Sequence, residues 1–153
     1  MKSKILVSLA VWLAAAAVCF AANPQMGTWK LNEKKSHLGH GMGKNSTVVY
    51  DSGVFKTKVT IDGTDAKGKP MHSEWSGNFD GKDYAVTGDP TSDMRSYNKV
   101  DDRTLTFTAK KGGKVTVTGR IAVAADGKSR TVHATGTDSK GKKFHNVVVY
   151  DKA

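Results

Sequence analysis

The chain is 153 residues long, carries a formal net charge of +10 and contains one cysteine. That length buries one core and points to one domain. The lone Cys19 excludes an internal disulfide framework. The basic excess, 20 lysines against four arginines, argues against specific nucleic-acid readout, which leans on arginine and on stacked aromatics.

In chain order, Lys2 and Lys4 precede the apolar run "ILVSLAVWLAAAAVCF", and small residues follow it. This is the pattern of a secretory signal peptide. Cleavage before Ala22 puts Cys19 and Ala21 at the small-residue positions. Residues 1–21 then form the signal and residues 22–153 one exported domain, periplasmic or secreted. A retained anchor is the alternative, although the run is slightly shorter than the roughly 20 residues of a helical span. Lipid modification of Cys19 is another. Cleavage removes two lysines and no acid, so the charge falls from +10 to +8. It also leaves no thiol, which excludes a catalytic cysteine.

Beyond Gly27 the chain alternates. Phe55, Thr57, Val59 and Ile61 stand against Lys56, Lys58 and Thr60; Val115, Val117, Gly119, Ile121 and Val123 stand against Thr116, Thr118 and Arg120. Leu105, Phe107 and Ala109 alternate with threonines. Period-two patterns of this kind predict strands with one buried face. Eight turn signals separate them: Ser52-Gly53, Lys67-Gly68, Asp80-Gly81, Gly88-Asp89-Pro90, Asp101-Asp102, Gly112-Gly113, Asp126-Gly127 and Lys140-Gly141. They delimit nine strands from about Asn45, and the strand at Gly27 makes ten. Connections this short join antiparallel neighbours. The expected fold is all-β, an up-and-down meander of about ten strands closed into a barrel, which removes the exposed edges and favours a monomer.

One segment repeats. "GTDAKGK" (residues 63–69) and "GTDSKGK" (residues 136–142) agree at six of seven positions. Calcium held by Asp65 and Asp138 is one reading, but lysines occupy places where oxygen ligands would be wanted. The other is a single good hairpin turn used twice.

"GTWKL" at residues 27–31 and "VVVYDK" at residues 147–152 resemble the first and last strands of fatty-acid-binding proteins, within the calycin group that also holds lipocalins and avidins. The segment "SEWSGNFDGKDYAVTGDP" is similar to small secreted bacterial proteins of unassigned function. The resemblance implies a calycin-like barrel with Trp29 lying across its closed end. It also implies a small, partly apolar ligand inside. "EKKSHLGHGMGK" stands where fatty-acid-binding proteins carry two helices, and Val148 stands where they usually carry a carboxylate-binding arginine.

If the barrel forms, alternation places Trp29, Tyr50, Phe55, Val59, Trp75, Phe79, Tyr84, Phe107, Val117, Phe144 and Tyr150 on apolar faces. Trp29, Tyr50, Phe55, Trp75, Tyr84, Phe107 and Tyr150 are the candidate ligand-binding residues, with Thr57, Ser73 and Asn146 supplying hydrogen bonds. A core filled by the same aromatics is the competing reading. In "DMRSYNKV", solvent-facing Arg95 and Tyr97 are the expectation, since unpaired buried charge is costly. The reversed register would let them grip an anion. Arg95, Arg120 and Arg130 are candidates to stack on Trp29.

His37, His40 and Met42 are weak transition-metal candidates. His72 and Glu74 share a strand face. No nucleophile elbow or phosphate loop occurs, and no cofactor or catalytic residue is assigned. Lysines on the turns suit anionic envelope components or simply solubility. The reading is an exported, non-catalytic barrel binding a small, partly apolar molecule. The alternative is a basic envelope protein acting through its lysine-rich outer surface, without a ligand cavity.

Overall fold

Alternation of β-branched and aromatic residues with lysine and threonine gives each strand a wet face and a dry one. The chain resolves that asymmetry by closing a sheet on itself. The computed structural model describes residues 22–153; the proposed signal peptide lies outside them. The strands are β1 (Gly27–Leu31), β2 (Lys44–Ser52), β3 (Thr57–Thr64), β4 (Pro70–Gly77), β5 (Tyr84–Thr87), β6 (Met94–Asp101), β7 (Thr104–Lys111), β8 (Lys114–Val123), β9 (Ser129–Thr137) and β10 (Lys143–Lys152), with one short 3-10 turn at Glu33–Lys35. Every neighbouring pair is antiparallel, and β1 pairs with both β2 and β10, so the ten-strand barrel is closed. All eight sequence-predicted turns fall at the junctions between strands.

The two ends of the barrel differ. One end, the Trp29 end, carries the β2–β3, β4–β5, β6–β7 and β8–β9 turns with residues 23–26 and the C-terminus. The β1–β2 loop and the other four turns form the mouth. Pairing across the sheet is long nearly everywhere, with nine residue pairs between β9 and β10. It is short at β1, with three pairs to β10 and four to β2, and shortest at β5, which pairs over two residues with β4 and two with β6.

The repeated segments are twin turns. Asp65 Oδ1 accepts from the amides of Lys67 and Lys69, and Asp138 Oδ1 from those of Lys140 and Lys142, all at 2.8–2.9 Å. Each carboxylate is therefore spent on backbone geometry, as Asx turns require.

Two expectations need correction. Phe55 does not line the interior: β3 begins at Thr57, and Phe55 sits on the β2–β3 turn, 86% exposed. The turn interrupts the strand before its alternation does. Arg95 and Tyr97 face inward and are buried, because a carboxylate accompanies the guanidinium, as described below.

Candidate functional site

Inward-facing side chains divide by depth. At the Trp29 end the interior is packed solid. Trp29 is fully buried, and its indole N–H donates to the Gln25 carbonyl at 2.9 Å. The Arg130 guanidinium lies over Trp29, Tyr50 and Tyr150, 4.7–5.0 Å from each ring centre. Arg130 thus fills the Trp29-stacking role; Arg120 is exposed on the outer face. Nε and Nη1 of Arg130 are buried without hydrogen-bond partners. Three aromatic faces, each worth up to about 2 kcal/mol to a desolvated cation, are what offset that burial. Burial, reinforced by Tyr97, pushes the Tyr50 hydroxyl well above the usual phenol range, and burial pushes Tyr150 up to about 12. Both therefore remain neutral beside the guanidinium.

Above this plug lies an aromatic cluster. Trp75 packs edge-on against Tyr97 at 4.8 Å and Tyr84 at 5.6 Å, and its indole N–H donates to the Arg95 carbonyl at 2.8 Å. The Tyr84 hydroxyl donates to Asp80 at 2.8 Å. Thr57, in phase with Val59, is half-buried near the same end.

Toward the mouth the packing loosens on one side. Phe107, Val117, Val132, Ala134 and Phe144 point inward from β7, β8, β9 and β10, in phase with buried Leu105, Ile121, Arg130 and Asn146, yet each is only half-buried. Two glycines make room for the larger rings. A Cβ on Gly119 would collide with the Phe107 ring, and one on Gly136 with the Phe144 ring. Leu38 and Met71, also half-buried, pack against the core.

Polar groups are buried in the same barrel. Arg95 is 8% exposed, with Nη2 donating to Asp89 Oδ2 at 3.1 Å and Nη1 to the Tyr97 hydroxyl at 3.4 Å. Burial works to raise the Asp89 pKa. Hydrogen bonds from Ser92 and Thr91, with the Arg95 charge, outweigh it and hold the carboxyl below its ordinary value. Ser73 is buried on β4. Asn146, buried on β10, accepts from the Gly39 amide at 3.0 Å and donates to Met42 Sδ at 3.3 Å. The β1–β2 loop is thereby latched over the mouth. Outside, a groove of about 420 Å³ open to solvent runs past Met71, His72 and Asp89.

The sequence-predicted set is therefore split. Phe107, Ser73 and Asn146 face the mouth side; Trp29, Tyr50, Thr57, Trp75, Tyr84 and Tyr150 belong to the packed cluster and the Trp29 end; Phe55 belongs to neither. Of the metal candidates, Met42 Sδ accepts from Asn146, while His37 bridges by its backbone to Val147 and His40 is exposed. Among the described residues no group of three or more His, Cys, Asp or Glu side chains is placed to hold a metal ion. His72 contacts Asp62 and Glu74, and Glu74 also contacts Lys58 at 2.8 Å, an exposed ionic row on the outer face. Hydrogen bonds to Asp62 and then Glu74 raise the His72 pKa. Sequence reasoning misses Asp89 as the partner of Arg95. The available signal was the Gly88-Asp89-Pro90 turn, short enough to fold its carboxylate back onto the next strand.

No protein-family model and no curated protein matches the chain. Among solved structures it is similar to a redesigned β-barrel, mFAP1, bound to DFHBI, at 18% identity and a TM-score of 0.44, covering 86% of this chain and 98% of that one.

Proposed function

We propose that this is an exported, calycin-like, non-catalytic binding protein that takes a small, partly apolar, anionic molecule through the mouth of the barrel. One observation carries the reading: inward-facing Phe107, Val132 and Phe144 remain partly accessible beside buried Arg95, Ser73 and Asn146. A fully packed core has no reason to leave apolar rings reachable while its far end is sealed. Apolar surface with a few convergent polar groups is the ordinary make-up of a ligand site. The apolar part rests on the two phenylalanines, and the lysines on the connections around the mouth supply the positive surroundings. Export is supported by Lys2, Lys4 and the apolar run that follows.

Anilinonaphthalene sulfonate, both apolar and anionic, tests the site. Phe107→Ala and Phe144→Ala should each weaken its binding about tenfold or more while leaving Trp29 and Trp75 in place. Truncating either tryptophan would cost about 3–5 kcal/mol of stability, so Trp75→Ala would test folding before binding. Native mass spectrometry of protein taken from its own envelope should then show a retained small molecule. Unchanged dye affinity in both phenylalanine variants sinks the reading. Dye binding lost only when Lys140, Lys142 and Lys143 become Gln would favour the second reading, a basic surface without a cavity.

A further inference from the structure

The β2–β3 turn carries the most exposed large apolar residues among the described ones. Elsewhere the connections rely largely on Gly, Asp and Lys, the residues that tight turns favour, and the large apolar residues they carry, Leu38 and Phe79 among them, pack against the core. Here the Gly53 amide donates to the Lys56 carbonyl at 2.9 Å, and the two residues at the tip are Val54 and Phe55. They are 90% and 86% exposed. Val100 and Val115, the other large apolar residues exposed among the described ones, stand singly and at lower exposure. A solvated turn gains nothing from a valine and a phenylalanine side by side, and adjacent exposed apolar residues mark interaction surfaces. Where local sequence contradicts local structure, function is the usual reason.

We propose that this tip seats the Trp29 end of the barrel on a lipid membrane. Phe55 and Val54 enter the interface between headgroups and acyl chains, and Lys56 beside them, with Lys82 on the adjacent β4–β5 turn, meets anionic headgroups. Asp80 and Asp51 stay charged close by, and the Lys56 ammonium lies over the Tyr84 ring, so the apolar pair rather than net charge carries the association. Asp80 accepts from the Lys82 amide and the Tyr84 hydroxyl, and Asp51 stands behind the tip on β2. Lys58 is engaged with Glu74. The mouth then points away from the bilayer and stays open to solution. Two side chains and few charges give weak, reversible association.

All ten strands and the core lie within residues 22–153, so that barrel is the protein to test, free of the apolar run. It should co-sediment with vesicles of phosphatidylethanolamine and phosphatidylglycerol. Val54→Ser combined with Phe55→Ser should lower the bound fraction roughly tenfold without changing Tm or dye binding at the mouth, because neither residue packs on the core. Phe55→Trp should show a blue-shifted emission component on vesicle addition, quenched by brominated lipid. The proposal is overturned if the unaltered barrel does not bind vesicles, if the double Ser variant binds equally well, or if the Phe55→Trp variant gains no blue-shifted component. A barrel that elutes as a dimer, and as a monomer once both residues are Ser, would assign the tip to a second copy instead. None of these results depends on the mouth binding a ligand.

Discussion

Arg95 occupies an inward face because Asp89 reaches it from the turn that precedes its strand. Removing one member of such a buried pair leaves the other charged and without a partner, at a cost of about 3 kcal/mol or more. Asp89→Ala should therefore destabilise the barrel by about that much at neutral pH, measured by urea denaturation. Its pH dependence has a definite sign. The folded-state pKa of Asp89 is depressed, so its contribution is complete above the ordinary aspartate value of about 3.9 and is lost as pH falls through the lower folded value. In the unaltered protein the acid limb of stability should fall across that window. Asp89→Asn, which no longer titrates there, should flatten it. An unchanged acid limb would mean that Asp89 does not hold Arg95 in solution.

At the scale of the element, β5 is the thin place in the wall. Its four residues pair twice on each side, whereas β8 and β9 share seven pairs. The Lys110–Asp83 ion pair at 2.6 Å spans this region but is partly exposed, and such pairs contribute little. Hydrogen exchange should therefore release amides of Tyr84–Thr87 well before those of β8, β9 and β10; equal protection would show that closure here is as firm as elsewhere. This seam and the packing beside it mark the limit of what sequence conveys. Strand number, antiparallel order and turn positions are legible, because alternation and Gly-Asp turn chemistry are local properties. The inward face of β6 is not. Met94-Arg95-Ser96-Tyr97 alternates acceptably in either register, and only the approach of Asp89 in three dimensions decides between them. Phe55 is misread for the opposite reason: its alternation is in phase with Val59, but an apolar pair at a turn tip carries no turn signal. The latch from Asn146 to Gly39 and Met42 joins residues about a hundred positions apart, and nothing local announces it.

At the scale of the molecule, the positive charge is gathered around the mouth. Four of its five connections carry lysines: Lys34, Lys35 and Lys44; Lys67 and Lys69; Lys110, Lys111 and Lys114; Lys140, Lys142 and Lys143. The acids among them are fewer than the lysines. Glu33 pairs with Lys44, Asp65 and Asp138 hold their own turns, Asp93 accepts from the Gly112 amide, and Asp89 holds Arg95. A rim of net positive charge around an opening steers anionic molecules toward it and acts on encounter rather than on residence. Replacing Lys140, Lys142 and Lys143 by Gln should therefore slow association of anilinonaphthalene sulfonate several-fold at low ionic strength, read by stopped-flow fluorescence. Its dissociation rate should hold within about twofold. Near 1 M salt, where screening reaches about 3 Å, the two proteins should associate at the same rate. A difference that persists in high salt, or one that appears in dissociation, would mean that these lysines touch the bound molecule, and the recess would then have to extend out to the β9–β10 turn.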